Sequence, residues 1–147
     1  MFFVFLILLA LLIGASLAFQ IGVNARLRVW LGDPTQAALV SFATGTLALC
    51  AYTFLMRLPW SFESASKAPW WVWVGGLLGA FNITATIILA PRLGAATLLG
   101  LVVTGQMIVS MILDHYGLLG FRPHALSAGR VCGAMLLIAG VVLIRKY

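Results

Sequence analysis

Five apolar runs, each about 20 residues long, leave this chain few ways to fold. They are roughly 2–21, 34–56, 69–90, 93–113 and 123–144. A bilayer hydrocarbon core about 30 Å thick takes about 20 helical residues to cross, so each run is expected to be a transmembrane helix. Strands are excluded by pattern: segments alternating apolar and polar are absent, and an open sheet cannot leave its edges in lipid. The fold class is therefore all-α, an integral membrane protein of five transmembrane helices. The connections are too short to form a separate unit, so residues 1–147 read as a single domain.

Composition agrees with this. The 147 residues are 63% hydrophobic and 8% charged. A soluble domain carries about 25% charge to cover its outside; this chain has too little, and its outside must face lipid. The net charge of +6 in a soluble protein would point to nucleic acid. Here the basic residues stand singly between apolar runs and form no patch. They read as topology signals and lipid-headgroup contacts, with no nucleic-acid partner. Cys50 and Cys132 fall inside apolar runs and are expected to pack as small apolar residues with free thiols. Ser16-Leu17-Ala18 imitates a signal-peptide cleavage site. A basic segment before it is missing and the apolar run is long for a signal, so the first run is expected to stay as a span.

Helix chemistry marks the boundaries. Asp33-Pro34-Thr35-Gln36 reads as an N-cap, a proline at the first helical position and a capping-box glutamine. Pro69 and Pro123 are expected to start their helices likewise, and Pro91 to break the third run from the fourth. Trp60, Trp70, Trp71 and Trp73 flank a loop with Glu63 and Lys67, as an interfacial aromatic belt does.

The N-terminus and the second and fourth loops share one side, with Arg57, Lys67 and Arg122. The other side carries Arg26, Arg28, Arg92, Arg145 and Lys146, which makes five against three, or five against four if Arg130 reaches the first side. The positive-inside rule places the C-terminus in the cytoplasm by a narrow margin, and so small a bias permits insertion both ways. No internal repeat is visible. Many transporters rock two oppositely oriented repeats around a midplane site. A five-span chain gains that symmetry only by pairing with a second copy or a relative.

Small residues at four-residue spacing let helix backbones approach closely. Gly14, Ala18 and Gly22 do this in the first helix, Gly75 and Gly79 in the third, Gly129 and Gly133 in the fifth. Polar residues are costly in hydrocarbon unless they face protein or water. Ser16, Gln20 and Asn24 form one stripe, roughly opposite the small-residue stripe of the same helix. Asn82 and Thr86 share a face of the third helix, and Gln106 lies in the fourth. Gln20, Asn24, Asn82 and Gln106 are the candidate substrate-binding residues; the bland alternative is that they only stitch helices together. Asn82-Ile83-Thr84 matches a glycosylation acceptor but lies within a span.

Two charges stand out. Asp114 ends the fourth helix beside His115, and these are the candidate proton carriers. Arg130 lies about 8 Å along the fifth helix if that helix starts near residue 125. It can snorkel to headgroups, pair with Asp114, or hold an anionic group. Asp114 and Arg130 are the candidate coupling or gate pair. No Asp or Glu lies in the middle of any span, which argues against a proton-coupled exporter of organic cations. No phosphate loop, metal-ligand cluster or Ser/His/Asp set is present, so no enzyme activity, cofactor or metal is expected.

Several segments are familiar together. They are Gln20 with Asn24; the run from Ala37 to Thr46; Pro69-Trp70-Trp71-Val72-Trp73 with Val74 to Ala80; Leu93-Gly94-Ala95-Ala96; Thr104-Gly105-Gln106; Asp114-His115-Tyr116-Gly117; and Arg130 with Gly133. The chain resembles the YdcZ-type small inner-membrane family of the drug/metabolite transporter superfamily over nearly its whole length. The resemblance implies a half unit of that superfamily's architecture. It also implies a multi-pass exporter of the bacterial cytoplasmic membrane, in a family of single five-span chains, paired chains and fused ten-span forms. In size it is similar to the small multidrug-resistance proteins, but it lacks the carboxylate those carry in the first span. Their cation/proton exchange is therefore not carried over.

The expected function is secondary transport of a small metabolite or drug-like molecule by a dimer using alternating access. Helices one to four of each copy line the cavity and the fifth packs at the periphery or seam. The partner is a second copy, parallel or antiparallel, or a related chain. Two other readings are a non-transporting subunit that assembles with a different protein, and a flippase for a lipid-linked substrate.

Overall fold

A computed structural model describes residues 1–59 and 61–147, apart from the Ser64 side chain. Trp60, one member of the expected aromatic belt, lies outside the described residues. Among the described residues, 5 helices are long and apolar enough to cross a membrane. The chain divides into two compact units, Met1–Arg92 and Leu93–Tyr147.

The first unit opens with α1, Phe2–Leu31, a helix of 30 residues. At 1.5 Å per residue it is about 45 Å long, well beyond a hydrocarbon core of about 30 Å. The sequence placed its end near residue 21, where polar residues begin. Polarity ends a membrane segment, not a helix: Asn24, Arg26 and Arg28 continue the same backbone bonding. Gly32 stops it, with φ 79 and its N–H donating to the Arg28 carbonyl at 2.8 Å. Glycine takes that left-handed conformation without steric cost.

Helix α2, Pro34–Leu55, starts at once. The Asp33 carboxylate accepts the Gln36 N–H at 2.9 Å, and Pro34 occupies the first turn, as the capping pattern requires. Beyond it lie a short helix α3, Phe62–Ser66, and a 3-10 turn, Trp70–Trp73, led by Pro69. Trp70, Trp71 and Trp73 are exposed. Lys67 donates to Glu63 at 2.6 Å on the α3 surface.

Helix α4, Val74–Leu93, carries Pro91 inside it. The break expected at Pro91 instead falls at Gly94, with φ 77. Proline lacks the N–H that would reach back to residue 87, so the Ile87 carbonyl loses its helical donor. The Arg28 guanidinium supplies one, with Nη1 3.4 Å from the Ile87 oxygen. Ile87 is fully buried with Ala37 and Ala38, and Leu27 and Ile83 pack around them. Alanine at both α2 positions leaves room for the Ile87 side chain of α4 to pack against them. Gly79 makes room for the Phe42 ring: a Cβ there would stand 3.2 Å from it.

The second unit is a pair of helices. Helix α5, Ala95–Tyr116, ends at Gly117, φ 61. Helix α6, Ala128–Lys146, begins at an N-cap Ser127 whose hydroxyl accepts the Arg130 N–H at 3.3 Å. Pro123 therefore does not start the last helix; it sits in an extended connection packed on Gly117, where a Cβ would lie 2.9 Å from the proline ring. The two helices meet at Gly100, where a Cβ would come within 2.6 Å of a Val141 methyl carbon.

The cysteine expectation needs correction, whereas the small-residue stripes, read as surfaces for tight packing or dimerisation, are largely open in the single chain. Of the small-residue stripes, Gly79 meets a side chain from another element, whereas Gly14, Gly22, Gly75 and Gly133 have nothing within 4 Å and Gly129 only Ser127 of its own cap. Cys50 and Cys132 are free but exposed, not packed inside. Both sit on helix faces that the described residues leave uncovered.

Candidate functional site

Five hydroxyl groups in the spans bond back to their own helix at short distance. Ser16 donates to the Ile13 carbonyl, Thr44 to Val40, Thr53 to Leu49, Thr86 to Ile83 and Thr104 to Gly100, at 2.7–2.9 Å. Such back-bonding removes the need for a partner on another helix. The four carboxamides behave differently. No side-chain hydrogen bond is made by Gln20, Asn24, Asn82 or Gln106 to any described residue. Among the described residues they do not stitch helices together by hydrogen bonds.

Two of them come together. Gln20 and Asn24, with Ser16, line a cleft of about 360 Å³ between α1 and α2. Ser41 and Thr44 face them from α2. Phe19, Val23, Leu27 and Val40 supply apolar walls. The stripe expected on the first helix is thus the polar lining of this cleft. Asn24 is 5% exposed. No side-chain nitrogen or oxygen among the described residues is both sealed and unpartnered, so the Asn24 amide opens onto the cleft. Asn82 and Gln106 are exposed on α4 and α5 and are not part of its lining.

Ser41 and Thr44 carried a signal that the sequence reading passed over. With buried Ala37 they follow helical spacing, so they share the α2 face turned to α1. Arg28 was missed as well. Its signal is Pro91, because an intrahelical proline always leaves one carbonyl four residues back in want of a donor.

Asp114 and Arg130 form an ion pair in the second unit, Nη2 to Oδ2 at 2.5 Å, each side chain about one-quarter exposed. Of the three arrangements open to Arg130, pairing is the one observed. The helix starts later than the sequence suggested, so Arg130 lies in its first turn. Its Nη1 also donates to the His124 carbonyl at 2.9 Å. The His124 N–H donates to the Asp114 carbonyl at 2.7 Å, and the Leu126 N–H to His115 Nδ1 at 3.2 Å. The connection between α5 and α6 is therefore tied at both ends by one charged pair and three backbone contacts. His115 serves it through a ring nitrogen that carries no proton.

The profile of a family described as "Putative inner membrane exporter, YdcZ" matches residues 5–143. The chain belongs to the YdcZ family. It is a multi-pass inner-membrane protein, as that family and its five spans require. It is also similar to the "Inner membrane protein YdcZ" of Escherichia coli strain K12, 37% identical over 84 residues. That stretch is 57% of this chain and 56% of the E. coli protein, so it spans little more than half of either. No solved structure matches the chain. The segments that suggested YdcZ from the sequence contain the cleft residues Gln20, Asn24, Ser41 and Thr44, as well as Asp114 and Arg130.

Proposed function

We propose that this YdcZ-family chain is one half of a secondary transporter, moving a small metabolite or drug-like molecule outward by alternating access. The observation that carries the reading is the α1–α2 cleft: carboxamides with no hydrogen-bond partner among the described residues, beside apolar walls. Polar groups are held there against their solvation cost only where water or cargo meets them. One chain supplies one such wall. A second copy or a related chain supplies the other, and the two rock against each other around the cargo. Residues 1–147 act in this as one five-helix domain. The Asp114–Arg130 pair is the proposed gate, opening and reclosing the connection between α5 and α6 during the cycle. Asn82 and Gln106, exposed on their own helices, are proposed to meet cargo through the second chain.

Purified protein in proteoliposomes, presented with a labelled metabolite panel, tests transport. Concentrative or exchange flux supports it; folded protein with no flux for any compound counts against it. Topology reporters fused after Tyr147 test the pairing. Signal from both sides supports an antiparallel homodimer, and signal from one side requires a parallel pair or an oppositely inserted relative.

A second reading has its own support. At most 17% of the most apolar window of any span is buried within the chain. A subunit that assembles with a different membrane protein has such uncovered faces. Purified alone, that subunit is polydisperse and a different protein co-purifies with it.

A further inference from the structure

We infer that the α1–α2 cleft selects an uncharged compound that joins an apolar group to an amide-like edge, one carrying a donor and an acceptor side by side. This deepens the transporter reading and rests on the cleft being its substrate site. Three observations converge on that chemistry.

No ionisable side chain lines the cleft. Arg28, one turn beyond Asn24, is not part of the lining; its Nη1 donates to the Ile87 carbonyl. A charged compound meets no counter-charge on this wall, which therefore offers nothing to offset the water such a compound gives up.

Asn24 sets the polar end. Its amide is largely withdrawn from water, has no hydrogen-bond partner among the described residues and opens onto the cleft. A carboxamide offers two donors and one acceptor, so its best complement presents both kinds of group together: an amide, a lactam, or a ring with adjacent N–H and C=O. Ser16 and Thr44 sharpen the preference. Their protons are committed to the Ile13 and Val40 carbonyls, so toward the cleft they offer only acceptor lone pairs. Donors on the cargo are therefore favoured.

Phe19, Val23 and Leu27 line the apolar part beside these groups. The volume of about 360 Å³ falls at the small end of ligand pockets, which run from about 300 to 1,000 Å³. One aromatic or branched aliphatic group with an amide fits that space.

Three probes of one shape but different charge test this: N-acetylphenylalaninamide, its free-acid anion N-acetylphenylalaninate, and the N-trimethylated phenylalaninamide cation. Each is titrated onto full-length protein in detergent by saturation-transfer NMR, and flux is measured separately in proteoliposomes. The neutral amide is expected to bind at least about tenfold more tightly than either ion, and Asn24→Leu to weaken it about tenfold. Asn24→Gln keeps a carboxamide and is expected to retain part of the affinity, which separates lost chemistry from lost folding. Asn24→Asp is expected to move the preference to the cation. Equal or tighter binding of an ion by the native protein overturns the proposal. So does an Asn24→Leu variant, melting as the native protein does, that binds the neutral amide unchanged, and so does native protein that binds none of the three. Selective binding with no flux upholds the cleft chemistry and sinks the transporter reading. Flux of an ion with no binding of the neutral probe does the reverse.

Discussion

Arg28 donates to the backbone carbonyl of Ile87, the oxygen that Pro91 deprives of its helical partner. The contact ties the far end of α1 to the last turns of α4, over the small core of Ala37, Ala38 and Ile87. It gives a half-buried arginine a structural duty, so Arg28 is more than an orientation signal.

Arg28→Met is expected to destabilise the protein by about 1 kcal/mol, because the buried Ile87 oxygen is left bare. Pro91→Ala restores an N–H four residues on, so the double variant is expected to regain most of that loss. Unfolding in graded denaturing detergent measures both. An Arg28→Met penalty that is the same with alanine at 91 removes the explanation.

Arg130→Gln is expected to free the connection between α5 and α6, which the ion pair and the His124 contact hold. Amide exchange at His124 and Leu126 should quicken about tenfold, equivalent to about 1.4 kcal/mol of local stability. Asp114→Asn should do less, since Arg130 keeps the His124 carbonyl. Hydrogen–deuterium exchange resolved to this segment is the measurement, and unchanged protection in both variants refutes the tie.

Gly100→Ala is expected to cost about 1–3 kcal/mol, as overpacking at a tight contact does. The obstacle is a Val141 methyl carbon 2.6 Å from the new Cβ, on a β-branched side chain with little rotamer freedom. Val141→Ala in the same protein should recover part of the loss. Thermal melting of single and double variants tests this; additive penalties contradict it.

Ser41→Ala removes only a hydroxyl, one that lines the cleft without a hydrogen bond to any described residue. Transport is expected to fall about tenfold with the melting temperature nearly unchanged. Thr53→Val, on the same helix but outside the lining, serves as the control and should transport as the native protein does.

The five spans were legible because hydrophobic length alone decides them in a bilayer. The stripe of Ser16, Gln20 and Asn24 was legible too, since helical spacing fixes which residues share a face. Boundaries were harder. Helix α1 runs ten residues beyond its apolar run because backbone bonding continues in headgroups and water, and only Gly32 ends it. Pro91 stays inside α4 because a side chain distant in sequence replaces the missing donor, and Pro123 lies in a connection because Ser127 is the better cap. The partner of Arg130 could not be read from spacing alone, as three arrangements had comparable physical grounds. The cysteines were misjudged because apolar surroundings in such a sequence signify lipid as readily as core.

The join between α1 and α2 constrains how the cleft can work. Gly32 and Asp33 alone separate the two helices, and each is pinned, by the Arg28 carbonyl on one side and the Gln36 N–H on the other. With no slack there, neither wall can ratchet lengthwise past its neighbour. A change of splay about Asp33 is the motion that so short a join leaves open.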